Sequence, residues 1–342
     1  MPPSARLCRN HSAPQLKSPL CHNDRLLPSL FIIGSLKTGT TSLWSHLVDQ
    51  MPTHITPGAL TDKGDVSRKE KDFFGDPSMW RRGRKWYERI WPSCPRSLKV
   101  AIDATPAYHV WYDAPKNMAS FFGSQMAELR VVWMLRDPVA KFWSYFWELK
   151  AYRGEWDKVH FAQWVEPKLK RTRQCLERDP RHPLWPPSLP PPFTSCAPHL
   201  DHGLFEPQLR RWLAFVKPPQ MLLVSFAGYT RRPAAIVRDV LAHAGLPPAA
   251  VAAAAAATRA VKNRNSKALG HKKMPQKLRD ELHNLYDPFV ERLYDLIAKK
   301  DIAISPCEHK GTRFLDDPEA SNATAQWKRR RRGGGRAEDA RS

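Results

Sequence analysis

Lys37 stands inside LFIIGSLKTGTTSL (residues 30–43), an apolar run that gives way at Gly34 to a loop of glycine, threonine and serine. A strand, a tight loop and a helix start, in that order, present backbone N–H groups outward. The helix dipole adds about half a positive charge at the same place. Such a cradle takes an anion, and the position of the lysine says which. A Walker A loop, GxxxxGK[ST], has its lysine after the second glycine. Here Lys37 precedes Gly39 and Thr40 follows directly, so the loop is a phosphate cradle other than that of an ATPase or GTPase. Thr38, Gly39, Thr40, Thr41 and Ser42 are its candidate contacts, through amides and hydroxyls.

A second set of residues lies in LRDPVAKFWSY (residues 135–145). Arg136 projects from the end of an apolar strand and offers a planar fork to a phosphate. Asp137 and Pro138 read as the cap and first position of a helix, on which Lys141 and Ser144 share a face. KEKDFF (residues 69–74) adds two carboxylates, Glu70 and Asp72; Glu70 sits in a charge run, where a solvated side chain is the ordinary reading.

The elements that must position these residues alternate along the chain. Short apolar runs at 30–33, 98–102, 129–135 and 221–226 read as strands buried on both faces, as in a parallel sheet. Helical patterns cover 41–50, a segment after Pro138, 204–215, 233–244, 249–257 (an alanine run) and 275–299. The alternation predicts an α/β fold, a single P-loop-like domain with a central parallel sheet flanked by helices, its ligand at the carboxyl ends of the strands. We divide the chain into a disordered leader (1–27), a domain (28–304) with a proline-rich insert (180–198), and a disordered basic tail (305–342).

Taken together, the loop, the LRDPxxKxxSxY segment and KExDFF resemble the sulfotransferase superfamily, in its Golgi carbohydrate branch of heparan-type and chondroitin-type enzymes. IDATPAY (residues 102–108), GLFEPQLRRWL (residues 203–213) and the helix near the C-terminus fit the same pattern in the same order. The resemblance implies a 3′-phosphoadenosine 5′-phosphosulfate (PAPS) donor. Lys37 to Ser42 would hold its 5′-phosphosulfate, with Lys37 also stabilising the leaving oxygen. Arg136 and Ser144 would hold its 3′-phosphate, and Gly270, His271 and Lys272 would form a basic loop over it. Glu70 would be the general base towards a hydroxyl of a glycan acceptor, and no metal is implied. Two departures stand out: heparan-type enzymes commonly have His at the place of Asp72 and Lys at the place of Ala104.

Composition sets the outer limits. With 342 residues, 42% hydrophobic content and 13 Trp, the chain is globular. No stretch reaches the about 18 apolar residues of a membrane span. The 55 Lys+Arg exceed the 33 Asp+Glu to give a formal +22, which calls for anionic ligands. A nucleotide kinase lacks support in the displaced lysine. A soluble small-molecule sulfotransferase and a basic nucleic-acid-binding protein remain as alternatives. The six cysteines show no metal-like spacing and read as thiols, with Cys175 and Cys196, which flank the proline-rich insert, as the one pair that could close. Composition alone reads as cytosolic; the resemblance implies the Golgi lumen behind an upstream anchor. Trp80, Trp86 and Trp111 either stack on sugar faces or pack into the core.

Overall fold

The computed structural model describes residues 15–58, 69–152, 159–178, 199–258 and 273–305. The described chain enters through a hairpin of β1 (Cys21–His22) and β2 (Arg25–Leu26), then β3 (Pro28–Gly34), α1 (Thr40–Gln50) and β4 (Ile55–Thr56). Next come α2 (Pro77–Trp80), α3 (Arg84–Arg89), β5 (Val100–Ala104), α4 (Ala114–Phe122), β6 (Arg130–Leu135) and α5 (Pro138–Tyr152). The remainder is α6 (Phe161–Arg178), α7 (Phe205–Leu213), β7 (Met221–Ser225), α8 (Phe226–Arg231), α9 (Pro233–His243), α10 (Pro248–Ala257), α11 (Gln276–Lys300) and β8 (Ala303–Ser305).

Strand side chains alternate between faces, so each apolar run supplies two cores. Phe31, Ile33, Val131, Trp133, Leu135 and Leu223 face one core, shared with α3, α4, α7 and the end of α11. Leu30, Ile32, Ile102, Val132, Met134 and Val224 face the other, shared with α1, α9 and α10. A third cluster joins α5, α6 and the first part of α11, with Phe142 stacked on Trp164 at 4.9 Å between ring centroids.

The six strands run in the order β4-β5-β3-β6-β7-β8, and every pairing is parallel. The expected fold class is therefore borne out. From β3 the chain runs out to the edge strand β4, returns to lay β5 between the two, then crosses to lay down β6, β7 and β8 on the other side. That reversal opens a crevice at the carboxyl ends of β3 and β6. The loop with Lys37 leaves β3 there, and Arg136 follows β6.

Two expectations are corrected. The leader does not extend to residue 27: Leu20, Leu26 and Leu27 are buried, and a turn with positive φ at Asn23 and Asp24 closes the hairpin. Nor are the cysteines thiols throughout. Cys21 is disulfide-bonded to Cys94, with their Cα atoms 5.8 Å apart, which ties the hairpin to the approach to β5. Cys175 is also disulfide-bonded, and its expected partner Cys196 lies outside the described residues. So do the proline-rich insert and everything beyond Ser305. β4 and β8 escaped the sequence reading because two or three residues carry no readable pattern. The tryptophans resolve as packing: Trp80, Trp86 and Trp111 lie against the first core.

The bond between Cys21 and Cys94 spans 73 positions. Closing a loop of that size contributes about 2–4 kcal/mol. The double variant Cys21→Ser/Cys94→Ser is expected to melt roughly 3–6 °C lower by circular dichroism. An unchanged midpoint would remove the bond from the account of stability.

Candidate active site

The anion cradle is built by backbone. Lys37 has φ 64° and Gly39 has φ 79°, two left-handed residues that turn the loop sharply into α1. At Gly39 a side chain would also meet the Phe226 ring, 3.1 Å from the place of a Cβ. Thr38 is buried and locks the turn: its hydroxyl donates to Ser35 O at 2.6 Å and accepts from Ser35 N at 3.1 Å. Ser35 is held in turn by its N–H on Met134 O at 2.9 Å and by Trp133 Nε1 donating to its hydroxyl at 2.9 Å. No side chain caps α1 and no acidic residue lies in its first turn. Its first amides therefore keep their capacity for an anion. Thr40 is buried, Ser42 is half-buried and Thr41 is exposed at the helix start.

β6 brings in the second clamp. Arg136 Nη1 donates to Lys37 O at 3.3 Å, and the guanidinium lies over the Phe226 ring at 4.7 Å. Phe226 thus touches both the loop glycine and the arginine, and it follows directly on β7. Asp137 performs the expected capping of α5: its Oδ1 accepts from Ala140 N at 2.6 Å. Ser144 is half-buried one turn further along. Lys141, on the same face, is buried, and burial lowers its pKa to about 7 with Asp201 opposing the shift. Glu148 continues that face and pairs with Lys37, Nζ to Oε1 2.8 Å.

The carboxylates hang from β5. Asp103 is fully buried and accepts from Tyr87 OH at 2.7 Å, Thr105 Oγ1 at 2.7 Å and Tyr108 OH at 3.0 Å. Thr105 Oγ1 then accepts from the N–H of Lys71 at 3.0 Å and of Asp72 at 3.4 Å. Asp103 therefore fixes the backbone of the KEKD segment through a single hydroxyl. Glu70 pairs with Lys69 and is 43% exposed. Asp72 is further from solvent, at a left-handed φ of 54°, and its pKa is raised to about 6. Burial is the main cause, followed by the negative charges of Glu70, Asp103 and Asp76.

Beneath the loop lies a buried imidazole layer. His109 donates its backbone N–H to Ile33 O at 2.8 Å, and its ring fills the space beside Gly34, where a Cβ would lie 2.6 Å from Nδ1. Burial lowers His109 to about 3 and His202 well below the ordinary value, so both rings are neutral. Arg211 Nη2 donates to His109 O at 2.7 Å.

The structure thus brings Lys37, Thr38, Gly39, Thr40, Thr41, Ser42, Arg136 and Ser144 to one edge of the sheet. Gly270, His271 and Lys272 lie outside the described residues. Sequence reading missed Glu148, which only its spacing from Ser144 could have flagged, and Phe226, an aromatic directly after a strand. It offered Asp103 only as a possible salt-bridge partner of Arg136, whereas the acid binds three hydroxyls, as a charge within an apolar strand requires partners.

No protein-family model matches the chain. Among curated proteins it is similar to the mouse bifunctional heparan sulfate N-deacetylase/N-sulfotransferase 4, 22% identical over 232 residues, which cover 65% of this chain and 23% of that protein. The human bifunctional heparan sulfate N-deacetylase/N-sulfotransferase 3 matches at 22% over 227 residues, again 65% of this chain and 23% of that protein. A Caenorhabditis elegans N-deacetylase/N-sulfotransferase matches at 30% over 129 residues, 37% of this chain and 13% of that protein. The chain thus matches about a quarter, or less, of the length of these curated relatives. Among solved structures, a sulfotransferase from Alicyclobacillus acidocaldarius superposes with a TM-score of 0.54 at 22% identity, over 79% of this chain and 96% of that one. The loop and the clamp after β6 agree with these similarities: the chain is similar in sequence to the sulfotransferases named above and shares the fold of a solved one.

Proposed function

We propose that the protein transfers the sulfuryl group of PAPS to a hydroxyl of a carbohydrate acceptor. The observation that carries this reading is the uncapped start of α1 behind Lys37, hydrogen-bonded through Lys37 O to Arg136 at the end of the adjacent strand. Two anion sites on neighbouring strands suit a donor with phosphates at both ends of its ribose. The donor's reactive bond supplies a sulfuryl group; the chain supplies position and charge, which dominate in-line displacements of this kind.

In this reading the amides of residues 36–41 and the hydroxyls of Thr40 and Thr41 hold the 5′-phosphate. Arg136 and Ser144 hold the 3′-phosphate, with Gly270, His271 and Lys272 as a basic loop above. Lys37 offsets the negative charge that grows on the oxygen between phosphorus and sulfur. Glu70 removes the acceptor proton. A second reading gives that task to Asp72, and the observation behind it is the carboxyl raised to about 6, poised for transfer near neutral pH. The relatives' names refer to heparan sulfate and N-sulfotransfer, which supports a glycan and makes an amine acceptor the control.

The bond between Cys21 and Cys94 favours an oxidising compartment such as the Golgi lumen over the cytosol. Among the described residues no helix is long and apolar enough to cross a membrane.

The first test is transfer of labelled sulfur from PAPS to a panel of glycans, including N-deacetylated ones, and phenols. Adenosine 3′,5′-bisphosphate is expected to raise the melting temperature. Absence of both results would end the donor reading, and tight binding to nucleic acid that vanishes with salt would replace it. Lys37→Ala is expected to lower kcat/KM by about 100-fold or more. Retained activity would remove Lys37 from the chemistry.

Glu70→Gln and Asp72→Asn separate the two bases. The true base loses about 100-fold or more in kcat, and with Asp72 as base the rate of the parent protein rises through about pH 6. Stability gives an independent check. Because the folded-state pKa of Asp72 lies above its ordinary 3.8, the folded protein holds the proton more tightly, and stability declines as pH rises through about 6. Asp72→Asn is therefore expected to stabilise the protein at pH 8, by at most about 3 kcal/mol, and not at pH 3. Equal effects at both values would show that the carboxylate carries no such cost.

A further inference from the structure

Lys37 already has an anion beside it. Its Nζ lies 2.8 Å from Glu148 Oε1, and the two side chains keep 13% and 27% of their exposure. The pair therefore lines the lip of the crevice. Glu148 stands four residues after Ser144 and seven after Lys141, so α5 turns all three toward the same side. Two of these side chains favour a bound anion. The third repels it.

Both side chains keep some contact with water, so solvent can take up the Glu148 carboxylate when another anion displaces it from Lys37. The cradle offers several charge-assisted hydrogen bonds in its place. Once displaced, the Glu148 carboxylate remains next to the incoming anion and weakens its hold, since like charges within a few ångströms repel. We propose that Glu148 is an exchangeable counter-ion of Lys37. It holds the ammonium in the donor-free protein, yields it to the 5′-anion of the nucleotide, and takes it back as the nucleotide leaves. Glu148 is thus a positioning residue that acts through Lys37 and limits the affinity for nucleotide in favour of release. The proposal rests on the reading of Lys37 as the lysine of the donor site.

The test uses the full chain and two nucleotides, adenosine 3′,5′-bisphosphate and adenosine 3′-monophosphate, in titration calorimetry and stopped-flow dissociation. Glu148→Gln is expected to tighten the bisphosphate by about 2- to 5-fold, with a matching fall in its dissociation rate. Binding of the 3′-monophosphate, which has no group at Lys37, stays the same. Glu148→Asp returns the bisphosphate toward the parent affinity. A merely structural role would move both nucleotides together. Equal shifts for both, weaker binding of the bisphosphate, or no change would each overturn the proposal. If the parent protein binds no bisphosphate, the donor reading fails with it; if it binds and Glu148→Gln has no effect, the role of Glu148 alone fails.

Discussion

One constraint organises this molecule: every strand of the central sheet points the same way. All carboxyl ends therefore share one edge, and each strand delivers its following residues to it. β3 delivers an amide cradle, β6 an arginine, β7 a phenylalanine and β5 an aspartate with its threonine. Where strand order reverses, neighbouring loops part and leave room between them. The site is the place where the topology leaves a gap.

Several charged and titratable groups crowd this edge, and the structure manages them by burial and by pairing. His109 and His202 lie beneath the loop, and their burial keeps them neutral. Lys141 is pushed down toward neutrality for the same reason. On β5, Asp103 is sustained in the interior by three hydroxyls that turn toward it and by the charge of Lys71. Each of these groups would be expensive alone. Together they make a buried polar floor beneath the more exposed charges of the crevice.

Much of this was legible in the sequence. β3, β5, β6 and β7 carry apolar runs bounded by turn signals, and the order of Lys37 and Gly39 separates this loop from a triphosphate loop without any coordinates. The capping of α5 by Asp137 could be read because the rule is local. What escaped reading depends on distance along the chain. Glu148 meets Lys37 across 111 positions, and Tyr87 meets Asp103 across 16, with no pattern in either neighbourhood to announce it. Cys21 and Cys94 are joined across 73 positions, because the hairpin packs beside the approach to β5. The short edge strands were invisible because so few residues define no period.

The face of α5 that meets the loop runs from the interior to the surface within a few turns. Lys141 is 2% exposed, whereas the Glu148 side chain is 27% exposed. Mobile ions screen a charge only where water reaches it. This one face of the helix thus places Lys141 in a medium that salt barely enters and Glu148 in one that follows the ionic strength of the surroundings. The lip of the crevice responds to the salt outside, and the floor does not.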